Sequence, residues 1–176
     1  MSRTTRRREA TNPAPLLRTA SIPTPLGLFT AIYSSRGLLV LAFPDSHAQR
    51  SAGDTERLPA PWSQWHRLTS AALGTALRGR APRGLPPLDL SSGTTFQQAV
   101  WRALRRIRPG RSSTYAQVAA AIGRPRAARA VGQACGANPI PVLIPCHRVL
   151  ASNGGLGGFS AGLDWKRKLL GIERAL

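Results

Sequence analysis

The sequence predicts an α+β protein in two parts: a small antiparallel sheet with one helix, then a mainly helical half containing a helix-turn-helix. Three observations predict this. Two strand-like runs, Phe29 to Tyr33 and Leu38 to Phe43, flank a turn at Ser34-Ser35-Arg36-Gly37. Trp62, Trp65, Leu68, Ala72, Leu73, Ala76 and Leu77 then recur at helical spacing. Beyond Ser91, three helical patterns follow one another, the last two joined by a short turn at Gly123.

The 176 residues amount to one domain or two small ones. A chain of this length buries roughly 70% of its unfolded surface and needs no disulfide or metal staple. The boundaries read as a basic tail over 1–17, an N-terminal α/β unit over 18–90 and a C-terminal unit over 91–176. The tail carries Arg3, Arg6, Arg7 and Arg8 and reads as a solvated leader that adds non-specific phosphate affinity. Trp62 and Trp65 read as core residues rather than as base-stacking platforms. Gly79 to Pro87 reads as a linker, with Leu88-Asp89-Leu90 as a short edge strand.

In the second half, Thr94 or Thr95 caps a helix whose apolar side is Phe96, Val100, Leu104 and Ile107. Gln97, Gln98, Arg102, Arg105 and Arg106 make its polar side, and Pro109-Gly110 ends it. The next helix carries Tyr115, Val118, Ala119 and Ile122. The third starts near Pro125 and runs through Ala127, Ala130, Val131 and Ala134. A last helix spans Leu163 to Ile172, with Asp164 as its cap.

Charge narrows the partner. Lysine plus arginine number 25 against 7 acidic residues, a net charge of +18, and every cation but Lys166 and Lys168 is arginine. Such a surplus suits a polyanion, nucleic acid before an anionic membrane. No apolar run approaches a membrane span, and no apolar stretch follows the N-terminal arginines, so a cytoplasmic protein is expected. Cys135 and Cys146, with three histidines in all, make neither a disulfide framework nor a zinc spacing.

The third helix is poor in bulk: Ala127, Ala128, Ala130, Gly132, Ala134, Gly136 and Ala137 leave Arg126, Arg129 and Gln133 as its long polar groups. This composition fits a tightly packed core helix equally well as one whose backbone approaches DNA. The net charge favours the DNA reading, through phosphate and minor-groove contact rather than base readout.

Prolines at 139, 141 and 145 exclude a regular helix through the apolar segment 138–149, which ends on Cys146 and His147. A thiol is little ionised at neutral pH, and an imidazole that takes its proton makes it a nucleophile. Of the later carboxylates, Glu173 suits the role of orienting acid better than Asp164. Neighbours on a strand face opposite ways, so a Cys146–His147 partnership requires a turn or a bridging water. A structural role for the pair remains the other reading. The glycines of the following loop, 152–160, permit close backbone approach to a ligand.

These residues resemble a known family. Arg129-Ala130-Val131-Gly132, Asn138-Pro139, Ile144-Pro145-Cys146-His147-Arg148-Val149, Gly157-Gly158-Phe159, Gly162-Leu163, Lys166, Leu169-Leu170 and Glu173 are similar to the O6-alkylguanine-DNA alkyltransferases. The likeness is strong from about Ser91 to Glu173 and weaker from about Thr19 to Asp89. It implies a ribonuclease-like N-terminal module. It implies stoichiometric, irreversible transfer of the alkyl group from O6-alkylguanine, and from O4-alkylthymine, to Cys146. His147 then matches the base acting through a water, Glu173 its polarising partner, Asn138 the hinge brace, and Tyr115 the tyrosine beside the extruded nucleotide.

The resemblance also makes Arg129 the finger that fills the gap in the duplex. It makes Val149, Phe159 and Ser160 the guanine pocket, with Phe159 where some relatives carry tyrosine. The small-residue helix (Ala130 and Gly132 with Arg126 and Gln133) becomes the minor-groove element that accompanies base flipping. The lesion supplies the alkyl group, so no cofactor is expected. Lacking any cysteine before Cys135, the chain is expected to hold no zinc, and its length leaves no room for a fused regulatory domain. Cys135 reads as packing. Duplex DNA bound by a monomer is the expected partner. The rival reading is a protein that binds alkylated DNA without chemistry, but binding-only relatives lack the acceptor cysteine.

Overall fold

The computed structural model describes residues 16–44 and 58–174. The arginines of the tail, at positions 3, 6, 7 and 8, lie outside the described residues.

A three-stranded antiparallel sheet opens the fold, in the order β1 (Arg18–Thr24), β2 (Gly27–Ser34), β3 (Gly37–Ala42). The two strands read from the sequence are β2 and β3. β1 is an addition, signalled only by alternation: Ala20 and Ile22 point into the core while their neighbours are more exposed. The hairpin turn brings Ser34 opposite Gly37 as expected. Helix α1 (Trp62–Ala76) covers the sheet with Thr69, Ala72, Leu73 and Ala76, whereas Leu68 of the proposed stripe is 37% exposed. Trp62 packs at the core margin and donates its indole N–H to the Ser34 carbonyl at 2.9 Å.

The linker is anchored. Leu38 N–H donates to the Pro87 carbonyl and Asp89 N–H to the Leu38 carbonyl, both at 2.8 Å. Leu88-Asp89-Leu90 therefore contributes one parallel bridge, Leu38 to Leu88, rather than a strand. Asp89 is buried and accepts from Ser34 Oγ at 2.6 Å and Ser91 Oγ at 2.7 Å. It ties the sheet's turn to the start of the second half.

That half begins with α2 (Thr95–Leu104). Thr94 is its N-cap, in a full capping box with Gln97. Its buried side is Val100, Trp101 and Leu104, while Ile107 lies past the helix end. The short strand β4 (Ser113–Thr114) leads into α3 (Tyr115–Ala121), capped by Thr114 in a second box with Gln117. After the Gly123 turn comes α4 (Ala128–Gly136). It starts later than the sequence suggested because Arg124 to Ala127 close a turn of their own, Ala127 N–H to Arg124 carbonyl at 2.9 Å. Arg126 thus sits in that turn, ahead of the helix.

Trp101 of α2 donates to the Ala134 carbonyl of α4 at 2.8 Å, locking the two helices. β5 (Val149–Leu150) pairs in parallel with β4, and α5 (Leu163–Ile172) ends the fold. Gly162 occupies the N-cap of α5. Asp164 does not cap it: fully exposed in the first turn, it pairs with Arg167 at 3.0 Å. The two halves meet at an aromatic cluster in which Phe43 of the sheet's end packs on Trp165 of α5 at 4.6 Å and on Phe159 at 5.9 Å.

Candidate active site

The segment after α4 does not run straight to the cysteine. Val142, at φ 71°, turns the chain so that Ile144 N–H meets the Ile140 carbonyl at 2.9 Å. A β-branched residue in the left-handed region is strained, and such strain persists only where the surroundings enforce it. Pro139, at the start of this segment, accepts from Leu41 N–H of β3 at 2.9 Å, so the sheet's edge grips it.

Cys146 then opens a single 3₁₀ turn, Cys146–Arg148. A turn is therefore present at the place where a Cys146–His147 partnership would need one. All three side chains are buried. Asn138 Nδ2 donates to Cys146 Sγ at 3.1 Å and to the Ile144 carbonyl at 2.8 Å, while its Oδ1 accepts from Ile140 N–H at 3.1 Å. Burial pushes the thiol above its ordinary range. The Asn138 hydrogen bond and the Lys166 charge act the other way and favour the thiolate.

His147 Nε2 lies 3.0 Å from Glu173 Oε1. Arg148 grips the same carboxylate, with Nη2 to Oε1 at 2.7 Å and Nε to Oε2 at 3.0 Å. Burial alone would raise the Glu173 carboxyl, but the hydrogen bonds from His147 and Arg148 and the Arg148 charge hold it down at about 2. Burial, with Arg148 and Lys166 nearby, keeps His147 below its ordinary range, although Glu173 opposes the shift. An ionised carboxylate can only accept, so Nε2 carries the proton and the lone pair is left on Nδ1. Nδ1 is buried and has no hydrogen-bond partner among the described residues. It is a proton acceptor held in reserve.

A cleft of about 520 Å³ opens above the sulfur, bounded by Tyr115, Arg129, Gly132, Cys146, Phe159 and Ser160 among others. At Gly132 of α4, a Cβ would stand 3.8 Å from the Tyr115 ring. Arg126, Arg129 and Gln133 are exposed, and Ala130 is partly exposed on α4. Val149 is the exception among the expected pocket residues. It is fully buried and outside the cleft lining, because its strand pairs with β4. Cys135 also borders the cleft, and burial pushes its thiol up to about 12.

Two residues that support the site had no assigned role from sequence. Arg148 shares Glu173, as above. Lys166 is fully buried, with Nζ donating to the carbonyls of Val149 at 2.6 Å, Leu156 and Gly158 at 3.4 Å. It fastens the glycine loop to the strand after the cysteine. Gly157, at φ 66°, lies where a Cβ would stand 2.8 Å from Tyr115 Oη. In the sequence, the only signals were one of two lysines among arginines and a glycine-rich run.

Comparison with known proteins follows the same lines. A family model described as the DNA binding domain of 6-O-methylguanine DNA methyltransferase matches residues 95–175. A methylated-DNA–protein-cysteine methyltransferase of Mycolicibacterium paratuberculosis is 38% identical over 157 residues, covering 88% of this chain and 90% of the relative. The chain belongs to the methylated-DNA–protein-cysteine methyltransferase family. The member from Methanosarcina barkeri is 43% identical over 66% of this chain and 75% of its own. The Haemophilus influenzae member is 54% identical over 82 residues, but that match spans just under half of either chain, 47% and 46%. Among solved structures of methyltransferases, Mycobacterium tuberculosis OGT in complex with DNA superposes with a TM-score of 0.70 at 35% identity, covering 89% of this chain and 92% of that one. This full-length likeness includes the N-terminal sheet, and the two-part α+β architecture expected from sequence holds. No helix among the described residues is long and apolar enough to cross a membrane.

Proposed function

We propose that this methyltransferase repairs O6-alkylguanine in duplex DNA directly, by moving the alkyl group onto Cys146 once per protein molecule. The observation that carries the proposal is a buried Cys146 thiol bordering a cleft, beside a His147 imidazole whose free nitrogen is set by Glu173.

The alkyl carbon on O6 lies inside the double helix, so the nucleotide must swing out into the cleft before sulfur can reach it. The exposed Arg129 on α4 fills the space it leaves, with the small residues Ala130 and Gly132 allowing the helix close to the minor groove. Arg126 and Gln133 hold flanking phosphate or sugar. Phe159 and Ser160 line the receiving pocket, and the Phe43 ring backs Phe159.

In the transfer, His147 Nδ1 takes the thiol proton through a relayed water, and Glu173 stabilises the imidazolium. Sulfur forms a bond to the alkyl carbon as the carbon–O6 bond breaks. The electron pair stays on guanine, which is neutralised by a proton for which the Tyr115 hydroxyl is the donor. The product is a thioether, which water does not cleave, so the protein is consumed. No cofactor enters the balance. The same displacement applies to O4-alkylthymine. A substrate in the genome places the protein in the cytoplasm of a bacterium or the nucleus of a eukaryote.

Mass spectrometry after incubation with a duplex containing one O6-methylguanine tests the proposal. The expected result is one added methyl per protein, on the peptide bearing Cys146, and none in Cys146→Ala. An unmodified protein that still prefers the lesion duplex would replace repair with lesion binding alone.

A further inference from the structure

Away from the cleft, the surface carries a groove of about 830 Å³ that the repair reaction does not use. It runs between the linker and α2, and its cations are Arg36, Arg83, Arg102 and Arg105. Its single carboxylate, Asp89, is buried and already accepts from Ser34, Arg36 and Ser91, so it does not repel an anion there. Arg83, Arg102 and Arg105 are exposed and have no carboxylate partner among the described residues.

The groove continues. An adjoining hollow of about 420 Å³ shares Arg83 with it and adds Arg78 and Arg80. Guanidinium groups therefore line a track, which suits a backbone of repeating phosphates better than one small anion. No aromatic side chain lines the groove, so it offers no platform for unstacked bases and fits a duplex rather than a single strand. Its orientation matters most. Trp101 and Leu104 of α2 face inward, Trp101 reaching α4, while Arg102 and Arg105 lie on the exposed flank.

We propose that this arginine track is a second DNA-backbone site, which lets one molecule hold a second duplex segment while α4 engages the lesion-bearing one. The proposal rests on the reading of α4 as the lesion-facing element. The second segment is bound without regard to sequence, because arginine on phosphate reads charge and spacing only.

The test uses the full chain, a lesion duplex of one helical turn carrying a donor dye, and a plain duplex carrying an acceptor dye. Wild type should bring the dyes together at one protein per lesion duplex. Arg83→Ala/Arg105→Ala should lose most of that energy transfer, at least about five-fold, and lower the salt slope of plain-duplex binding by about two. Methyl transfer to Cys146, read by mass spectrometry on the lesion duplex alone, should be unchanged. Arg83→Lys/Arg105→Lys should restore bridging. Bridging that is undiminished in the alanine variant would overturn the proposal, as would stronger competition by a single strand than by duplex. Loss of methyl transfer in wild type would instead count against the repair reading, whatever the dyes report.

Discussion

The same amide nitrogen of Asn138 holds both the reactive sulfur of Cys146, at 3.1 Å, and the backbone two residues before it, the Ile144 carbonyl at 2.8 Å. One side chain thus sets the sulfur's position relative to its own loop. With Oδ1 taken by Ile140 N–H, all three hydrogen bonds are internal to the acceptor segment.

Asn138→Ala removes them together and leaves the buried Ile140 N–H without its acceptor, while the Ile144 carbonyl keeps only the Cys146 N–H. The expected loss is about 1–3 kcal/mol of stability in urea unfolding, because unsatisfied buried groups carry their desolvation cost. Single-turnover methyl transfer should slow while duplex affinity changes little. An unaltered transfer rate would remove Asn138 from the positioning of the sulfur.

Glu173 predicts acid sensitivity. Its carboxyl is held at about 2, below its unfolded value, so its contribution is present above pH 4.5 and is lost as pH falls towards 2. That contribution is roughly 2 kcal/mol once solvent screening is allowed for. His147, also depressed, adds the same sign from pH 6.5 downward, because the unfolded chain takes up a proton that the folded one refuses. In Glu173→Gln, the acid slope of unfolding free energy should flatten. The variant is also expected to be about 3–5 kcal/mol less stable, since Arg148 keeps a buried charge without its partner. A slope equal to wild type would refute the assignment.

Transfer itself should follow His147. In the proposed reaction its neutral form is the base, and burial lowers its pKa, so the rate should be level from pH 7 to 8 and fall in acid. His147→Ala should be slower by about 100-fold or more at pH 7. Its remaining rate should climb with pH through the alkaline range, because the thiol must then ionise unaided from a raised pKa. Parallel pH profiles for the two proteins would exclude general-base action.

Lys166→Met keeps the length of the side chain but takes the ammonium donor from the carbonyls of Val149, Leu156 and Gly158. Stability should fall by on the order of 3 kcal/mol. Hydrogen exchange should rise first in residues 151–160, the loop that the ammonium fastens. Uniform exchange across the protein would indicate a general loss of stability without that local role.

Gly157→Ala should impair the cleft with less effect on the core. Its φ of 66° disfavours any Cβ, and the added methyl meets Tyr115 Oη. Slower transfer with near-normal α1 and sheet protection is expected, and Tyr115→Phe should recover little because the ring stays in place.

Legibility in the sequence followed the range of the interaction. Thr94 announced its helix because a cap acts over three residues, and the Ser34–Gly37 turn did the same for its hairpin. β1 was missed because Ala20 and Pro23 interrupt its pattern, and only pairing with β2 completes the strand. Glu173 could be singled out because few carboxylates follow Cys146, whereas Arg148 looked like one more arginine in an arginine-rich chain. Only the turn at Cys146–Arg148 brings it to the same carboxylate. Val149 was placed in the pocket by analogy of position; its pairing through β5 puts it in the core instead. Asp164 had the composition of a cap, but Gly162 occupies the cap two residues earlier.

The hydrogen bond from Leu41 to Pro139 gives the small sheet a mechanical task. It makes the edge of β3 an abutment for the acceptor loop, which the sheet holds by a peptide group as well as by the Phe43 ring. The N-terminal half then serves the chemistry without supplying a reacting atom. It is also spared an open strand edge on that side, which would otherwise invite pairing with a stranger.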